Sequence, residues 1–233
     1  MLEDILREGL SELDLTADET ALRRLRQYYE YLEQQSRLMN LTAIHGEEEA
    51  ARLHFLDCAA LLRFADLRGK SVIDVGSGAG FPGMVLKILC PELRLTALDS
   101  LEKRVRFLSQ LSELLALTDV QCLHRRAEEP AELRAQYDAA VSRAVARLNT
   151  LSELCLPYVK KGGLFVAMKG PGAAGELREA QGAIRLLGGQ VERCEEYPVP
   201  DTELRHCAVL IRKVADTPAV YPRRWAQMKK QPL

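Results

Sequence analysis

Four glycines, at positions 76, 78, 80 and 83, lie between Asp74 and the apolar run Met84-Val-Leu-Lys-Ile-Leu89. Ser71-Val-Ile-Asp-Val75 reads as a short strand, the glycines as a turn, and the apolar run as a helix that Cys90-Pro91 stops. Pro82 suits the first turn of that helix, where a missing N–H has no partner to lose. Glycine permits positive φ and lets a ligand approach the main chain with no Cβ in the way. A strand, glycine turn and helix in this order bind nucleotide-like cofactors at the carboxyl end of a sheet.

The next chemical residue is Asp99. Leu93-Arg-Leu-Thr-Ala-Leu98 reads as a second buried strand, and a carboxylate at its end can accept both hydroxyls of a ribose. The plainer reading is a cap for the helix starting at Leu101, but Ser100 can serve as that cap and leave Asp99 free. Gly78-Ala-Gly80-Phe-Pro-Gly83 formally fits a dinucleotide fingerprint. Gly76 and Ser77, however, separate it from the strand, whereas a dinucleotide site begins its glycines at the strand end. Asp74-Val-Gly-x-Gly-x-Gly is similar instead to the S-adenosylmethionine (SAM) loop of Rossmann-like methyltransferases. SAM has no pyrophosphate for a helix N-terminus to hold, so its loop mainly needs room. Glycine turns also serve simple strand–helix packing; Asp74 in front and Asp99 behind favour SAM.

The elements that must position these residues follow from periodicity. From Gly69 onward strands alternate with helices, the pattern of a mostly parallel sheet covered on both sides. Further strands are expected at Val120–His124, Tyr137–Arg143, Leu164–Met168, Gln190–Tyr197 and His206–Lys213, the last two as a closing antiparallel hairpin. A helix is expected from Leu148 to Val159, stopped by Lys160-Lys-Gly-Gly163. The expected fold class is α/β with seven strands and an antiparallel last one; with the SAM-like loop it resembles the Rossmann-like class I SAM-dependent methyltransferases. Residues 1–68 read as a helical extension covering the core at 69–215, with a basic tail at 216–233. In that tail the basic residues and Trp225 are either a solvated end or a nucleic-acid contact.

At the strand ends, Arg126-Ala127-Glu128 follows the third strand, where SAM enzymes meet the adenine; an exposed charged turn is the alternative. Ser142 and Arg143 end the fourth strand, where donor and substrate meet, and arginine there can hold a carboxylate or a phosphate. Lys169 follows the fifth. Lys103, Arg104 and Arg106 oppose the dipole of their helix, which points to a polyanion rather than to the fold. His54 and Asp57, three apart, share a helix face: either a satisfied buried pair or part of the cleft wall.

Composition narrows the field. With 233 residues and a formal net charge of −1 the chain can bury a full core and is no charge-driven polyanion binder, although a locally basic face is open to it. Six cysteines without a C-x-x-C read as core packing in a reducing compartment, and no metal is expected. No signal-peptide pattern or membrane-length apolar run is present, so a cytoplasmic protein without a membrane partner is expected.

Taken in order, Asn40-Leu-Thr-Ala-Ile44, His54-Phe-Leu-Asp57, Ile73 to Gly83, Leu98-Asp-Ser-Leu-Glu-Lys103, Arg126-Ala-Glu-Glu129, Ser142-Arg-Ala144, Ala167-Met-Lys-Gly170 and Arg205-His206 resemble the bacterial glucose-inhibited division protein B family, methyltransferases of 16S ribosomal RNA. The chain departs from the family pattern at Gln35, Met39, Cys58, Ala79 and Trp225-Ala226. The resemblance implies SAM as donor and N7 of one guanosine in the small subunit as acceptor. By position it assigns Gly76, Gly78, Phe81, Ala127, Glu128 and Arg143 to the SAM pocket, with Asp99 at the ribose. It assigns Asn40, Lys103, Arg126, Lys169 and Arg205 to RNA, with Arg143 and Lys169 near the reacting centre, and it implies 16S rRNA or the small ribosomal subunit as partner of a monomer. N7 carries a lone pair and no proton, so no general base is required and alignment is the enzyme's task. The edge bearing N7 is inaccessible in A-form RNA, so the target must be unpaired or flipped. Two alternatives stand beside this: a methyltransferase of small molecules, and a non-enzymatic NAD-sensing or RNA-binding module.

Overall fold

A computed structural model describes all 233 residues. Local signals set its N-terminal helices. α1 (Leu2–Glu12) buries Leu2, Leu6 and Leu10. Asp18 opens α2 (Glu19–Met39) by accepting the Ala21 N–H at 2.7 Å, and Asn40 closes it in the left-handed region at φ 50°, which asparagine tolerates well. The next helical stretch changes its winding: α3 (Glu47–Ala50), a π turn (Ala51–Leu56), α4 (Asp57–Ala59) and a 3-10 turn (Ala60–Arg63). This part of the helical extension expected over residues 1–68 is thus of mixed winding, and His54 lies in the π turn.

The sheet comprises β1 (Ser71–Val75), β2 (Arg94–Asp99), β3 (Val120–His124), β4 (Tyr137–Arg143), β5 (Val159–Lys169), β6 (Gly189–Pro198) and β7 (Arg205–Lys213). α5 (Gly83–Leu89), α6 (Glu102–Leu114), α7 (Leu148–Cys155) and α8 (Ala173–Leu186) connect them, and α9 (Trp225–Lys230) follows β7. The strand order is β3-β2-β1-β4-β5-β7-β6, and β7 alone runs opposite to the other six strands. Residues from five strands meet at one edge in consequence. Asp99 pairs His124, Arg143 pairs Met168, and Lys169 pairs Cys207 at the start of the reversed β7. The reversal brings Arg205 and His206 to the edge where the parallel strands end.

Alternation along the strands divides the core. Val72 joins a cluster of 42 buried residues that runs from Leu2 of α1 to Leu210 of β7, while Ile73 and Val75 face a second cluster of 22 with α7 and α8. The N-terminal helices therefore share their core with the sheet. One boundary differs from expectation. α7 stops at Cys155, Leu156–Tyr158 forms a 3-10 turn, and β5 starts at Val159 rather than Leu164. Pro157 has no N–H to continue the helix, and the Lys-Lys-Gly-Gly stretch is an irregular strand end, with Gly162 at φ +86°.

Candidate functional site

The glycine turn and the β2 end enclose a cavity of about 510 Å³ at the carboxyl edge. Its floor is main chain. The Gly76 and Ser77 N–H groups donate to the Leu98 carbonyl at 2.9 and 3.0 Å, and the Gly78 N–H donates to Asp99 Oδ2 at 2.9 Å. Gly76 lies at φ +74°, and a Cβ there would stand 2.5 Å from Val145 Cγ2; at Gly78, φ +60°, the nearest atom to such a Cβ is 3.9 Å away. The turn thus needs its glycines for conformation, and at Gly78 it leaves the main chain open to the cavity. A bare main-chain floor with a carboxylate at its rim fits the adenosyl and amino-acid groups of SAM.

Asp99 is more occupied than its sequence position suggests. Its Oδ1 accepts the Leu101 N–H at 2.9 Å, so Asp99 itself, not Ser100, satisfies the first amide of the α6 entry. This corrects the expectation that Ser100 leaves Asp99 free. Each carboxylate oxygen has two lone pairs, so Asp99 can still accept from a ribose while holding Gly78 and Leu101 in place. Arg104 Nη1 stands 3.5 Å from Oδ2 and lines the cavity. Asp74 lies beneath the turn rather than in the cavity. It accepts from Ser77 Oγ at 2.7 Å and the Gly83 N–H at 2.9 Å, fastening the two ends of the loop. Burial raises its pKa to about 6 against the opposing pull of those two hydrogen bonds.

The cavity is also lined by Arg126, Ala127, Glu128, Leu154 and Trp225, and by Val145 close against Gly76. At its near end Arg143 is held on three sides. It donates to the Leu53 carbonyl at 3.0 Å and to His54 Nδ1 at 3.0 Å, with Asp57 Oδ2 at 3.4 Å, and its guanidinium lies 4.7 Å from the Phe81 ring centroid. His54 stacks on the same ring at 4.3 Å. Since Nδ1 accepts from Arg143, the histidine proton is on Nε2, which faces Thr42 Oγ1 at 2.8 Å. Burial, with the nearby arginine charge, lowers the His54 pKa to about 3. Asp57 Oδ1 accepts from Tyr197 OH at 2.9 Å and from His206 Nδ1 at 2.8 Å, and that second bond raises the His206 pKa. His54 and Asp57 are thus both buried and both cleft residues, joined through Arg143 rather than to each other.

A second cleft, about 570 Å³, adjoins the first and shares His54, Arg143 and Ala144 with it. Lys169 and His206 line it; Lys169 donates to the Ala146 carbonyl at 2.6 Å and pairs with Glu176 at 2.8 Å. Gly76, Gly78, Phe81, Asp99, Ala127, Glu128 and Arg143 therefore all line the first cleft, as does Arg126. The remaining basic positions spread outward. Lys103 is exposed and forms no ion pair, whereas Arg104 turns to Asp99 and Arg106 pairs with Glu102 at 2.6 Å. Lys103 is thus the one cation of that turn with no carboxylate beside it. Arg205 is exposed, 3.7 Å from Glu196. Asn40 lines neither cleft; it forms the turn from which Leu41 and Thr42 enter the first.

Sequence reasoning overlooked Tyr28 and Thr42, and it gave Arg104 to a polyanion and Trp225 to a solvated end or a nucleic-acid contact rather than to this cleft. Tyr28 OH donates to the Ala79 carbonyl at 2.5 Å and its ring stacks on Phe81 at 5.3 Å, so α2 supports the glycine turn from behind. Thr42 lies in a motif quoted above, yet nothing in its neighbourhood names His54 as its partner.

The chain is similar to known proteins in both sequence and fold. The family model described as rRNA small subunit methyltransferase G matches residues 21–204. The ribosomal RNA small subunit methyltransferase G of Clostridium botulinum (strain Loch Maree) is 43% identical over 99% of this chain and 98% of that protein. The protein of the same name in Alkaliphilus metalliredigens is 44% identical, covering 98% of each. Among solved structures, TrmN from Thermus thermophilus superposes with a TM-score of 0.55 at 21% identity, covering 77% of this chain and 53% of that one. A didemethyltoxoflavin methyltransferase from Burkholderia thailandensis, holding S-adenosylhomocysteine, gives 0.53 at 16% identity, covering 86% and 92%.

Proposed function

The chain belongs to the GidB family of small-subunit ribosomal RNA methyltransferases, and from that premise we propose that it transfers the methyl group of SAM to N7 of one guanosine in 16S rRNA. When bound, the donor supplies a methyl carried on a positively charged sulfur. The residues proposed to hold it are the Gly76–Gly78 main chain, Asp99 at the ribose, Ala127 and Glu128 toward the adenine, and Arg143 with Phe81 at the near end. The observation that carries the reading is the meeting of the two clefts at His54, Arg143 and Ala144. A donor in one and a flipped base in the other meet at that wall.

The chemistry of that wall suits an acceptor with no proton to remove. His54 Nδ1 is engaged by Arg143, and both Asp57 oxygens face partners. These ionisable groups are committed to holding one another, and hence to holding geometry. Orientation alone can account for several kcal/mol of such a barrier. Lys169, at the second cleft, and Lys103, Arg126 and Arg205, outside it, are the positions proposed to meet RNA, with Asn40 acting through the turn that presents Leu41 and Thr42. No helix is long and apolar enough to cross a membrane, and we place the protein in the cytoplasm as a monomer acting on 16S rRNA or the small subunit. Mapping N7-methylguanosine in 16S rRNA from cells with and without the gene tests the reading. One such site should vanish and return on complementation; an unchanged map rules the reading out.

A further inference from the structure

The chain has one tryptophan, and it lines the same cavity as the glycine turn although it lies in the C-terminal segment beyond the last strand. That segment is tied down along its length. Arg134 donates to the Thr217 and Tyr221 carbonyls at 2.6 and 2.7 Å, and Asn149 Nδ2 to the Leu233 carbonyl at 3.0 Å. Arg223 holds Glu153 of α7 with Nε at 2.9 Å from Oε1 and Nη2 at 2.7 Å from Oε2, and that glutamate is fully buried. One turn into α9, Met228 is also fully buried, yet Trp225 between these anchors is left 38% exposed. A large apolar ring that lines a cavity, partly exposed between two anchored residues, can offer a contact to what fills it.

The anchors also say which end of the cavity it faces. Leu154, next to Glu153, lines the cavity, and Tyr158, just beyond α7, donates to the Ala127 carbonyl at 2.9 Å. The end of α7 and the Ala127–Glu128 turn are thus joined at the cavity, and Arg223, two residues before Trp225, is fixed to α7 beside Leu154. On the reading of this cleft as the SAM site, that is the adenine end. We propose that Trp225 is a cofactor-binding residue, its indole packing on the adenine of SAM, and that the C-terminal segment is accordingly part of the donor site. Flat aromatic side chains serve bases in this way because every base offers a π face.

The test uses the full chain and S-adenosylhomocysteine, followed by calorimetry and by emission of the single tryptophan. In the wild type, emission should change saturably with the calorimetric midpoint, and 5′-methylthioadenosine, which keeps the adenine but lacks the amino acid, should give the same change. Trp225→Ala should raise Kd roughly tenfold, equivalent to about 1.4 kcal/mol, and Trp225→Phe should recover most of that loss. Calorimetric binding with unaltered wild-type emission, or a Trp225→Ala variant binding as the wild type does, overturns the inference while leaving the SAM site intact. The emission readout needs no variant, so it stands even if Trp225→Ala folds poorly. No binding by the wild type at all would remove the cofactor reading and this inference together.

Discussion

His54 is uncharged in the folded chain because Arg143 occupies one ring nitrogen and burial penalises the imidazolium, which lowers its pKa to about 3 from an ordinary 6.5. As pH falls below 6.5 the unfolded chain takes up a proton that the folded one refuses, so stability is lost from 6.5 down toward the folded pKa, at about 1.4 kcal/mol per pH unit. His206 acts in the opposite sense. Its pKa is raised by Asp57, so its contribution is complete below 6.5 and fades only as pH rises through its folded value. Asp74, whose pKa burial raises to about 6, works against His54 in the acid window, because the folded chain takes up that proton first and gains stability as pH falls below 6. The loss on acidification that His54 causes is therefore read as a difference from its variant. Urea unfolding of His54→Gln between pH 6.5 and 4.5 should show a clearly shallower loss of stability than the wild type, and parallel curves would refute the assignment. The same residue shows a limit of sequence reading. That His54 and Asp57 share a helix face is visible from their spacing, but that Arg143, 86 residues beyond Asp57, stands between them is not.

Among the elements, α2 has a part beyond covering the sheet. Its Tyr28 reaches the Ala79 carbonyl inside the glycine turn, and the ring supports Phe81, on which both His54 and Arg143 lie. Tyr28→Phe leaves that buried carbonyl without its donor, which costs about 1–3 kcal/mol. Thermal unfolding should drop accordingly, and calorimetry should give weaker SAM binding because the turn loses its support. A variant less stable but with unchanged SAM affinity would confine Tyr28 to packing. The periodicity of α2 was readable from Leu22, Leu25, Tyr28 and Leu32, all buried; that one of these core positions also carries a hydroxyl to the glycine turn required the packing angle of α2 on α5. The late start expected for β5 failed for a related reason. Two lysines and two glycines look like a helix stop, and only pairing of Val159 with Tyr137 makes them a strand.

At the scale of the whole molecule, a formal net charge of −1 gives no general attraction to RNA, so binding must rest on a few placed cations. Lys103 is exposed and unpaired, while Arg126 and Arg205 each stand 3.8 and 3.7 Å from a glutamate. Binding to 16S rRNA should weaken linearly with log salt, and Lys103→Glu should lower affinity and reduce that slope by about one, as loss of a phosphate contact does. SAM affinity should be unaffected, since Lys103 lies outside both clefts. Equal losses of RNA and SAM binding in that variant would contradict this division of labour.

What the sequence determined alone is what backbone period and turn chemistry determine. The glycine turn, the acidic residues at two strand ends, the alternation of strands and helices and the antiparallel close are patterns within a few residues of one another, and the chain-length order of motifs marks the family. What only the tertiary structure decided is which distant side chains meet. Asp57 bonds His206 across 149 residues because the reversed β7 begins at the shared edge, and Trp225 reaches the cleft of Gly76 because Arg223 is drawn to a buried glutamate. A buried charge takes whichever partner the strand order brings within hydrogen-bonding reach, and strand order is a property of the assembled sheet, not of any one segment.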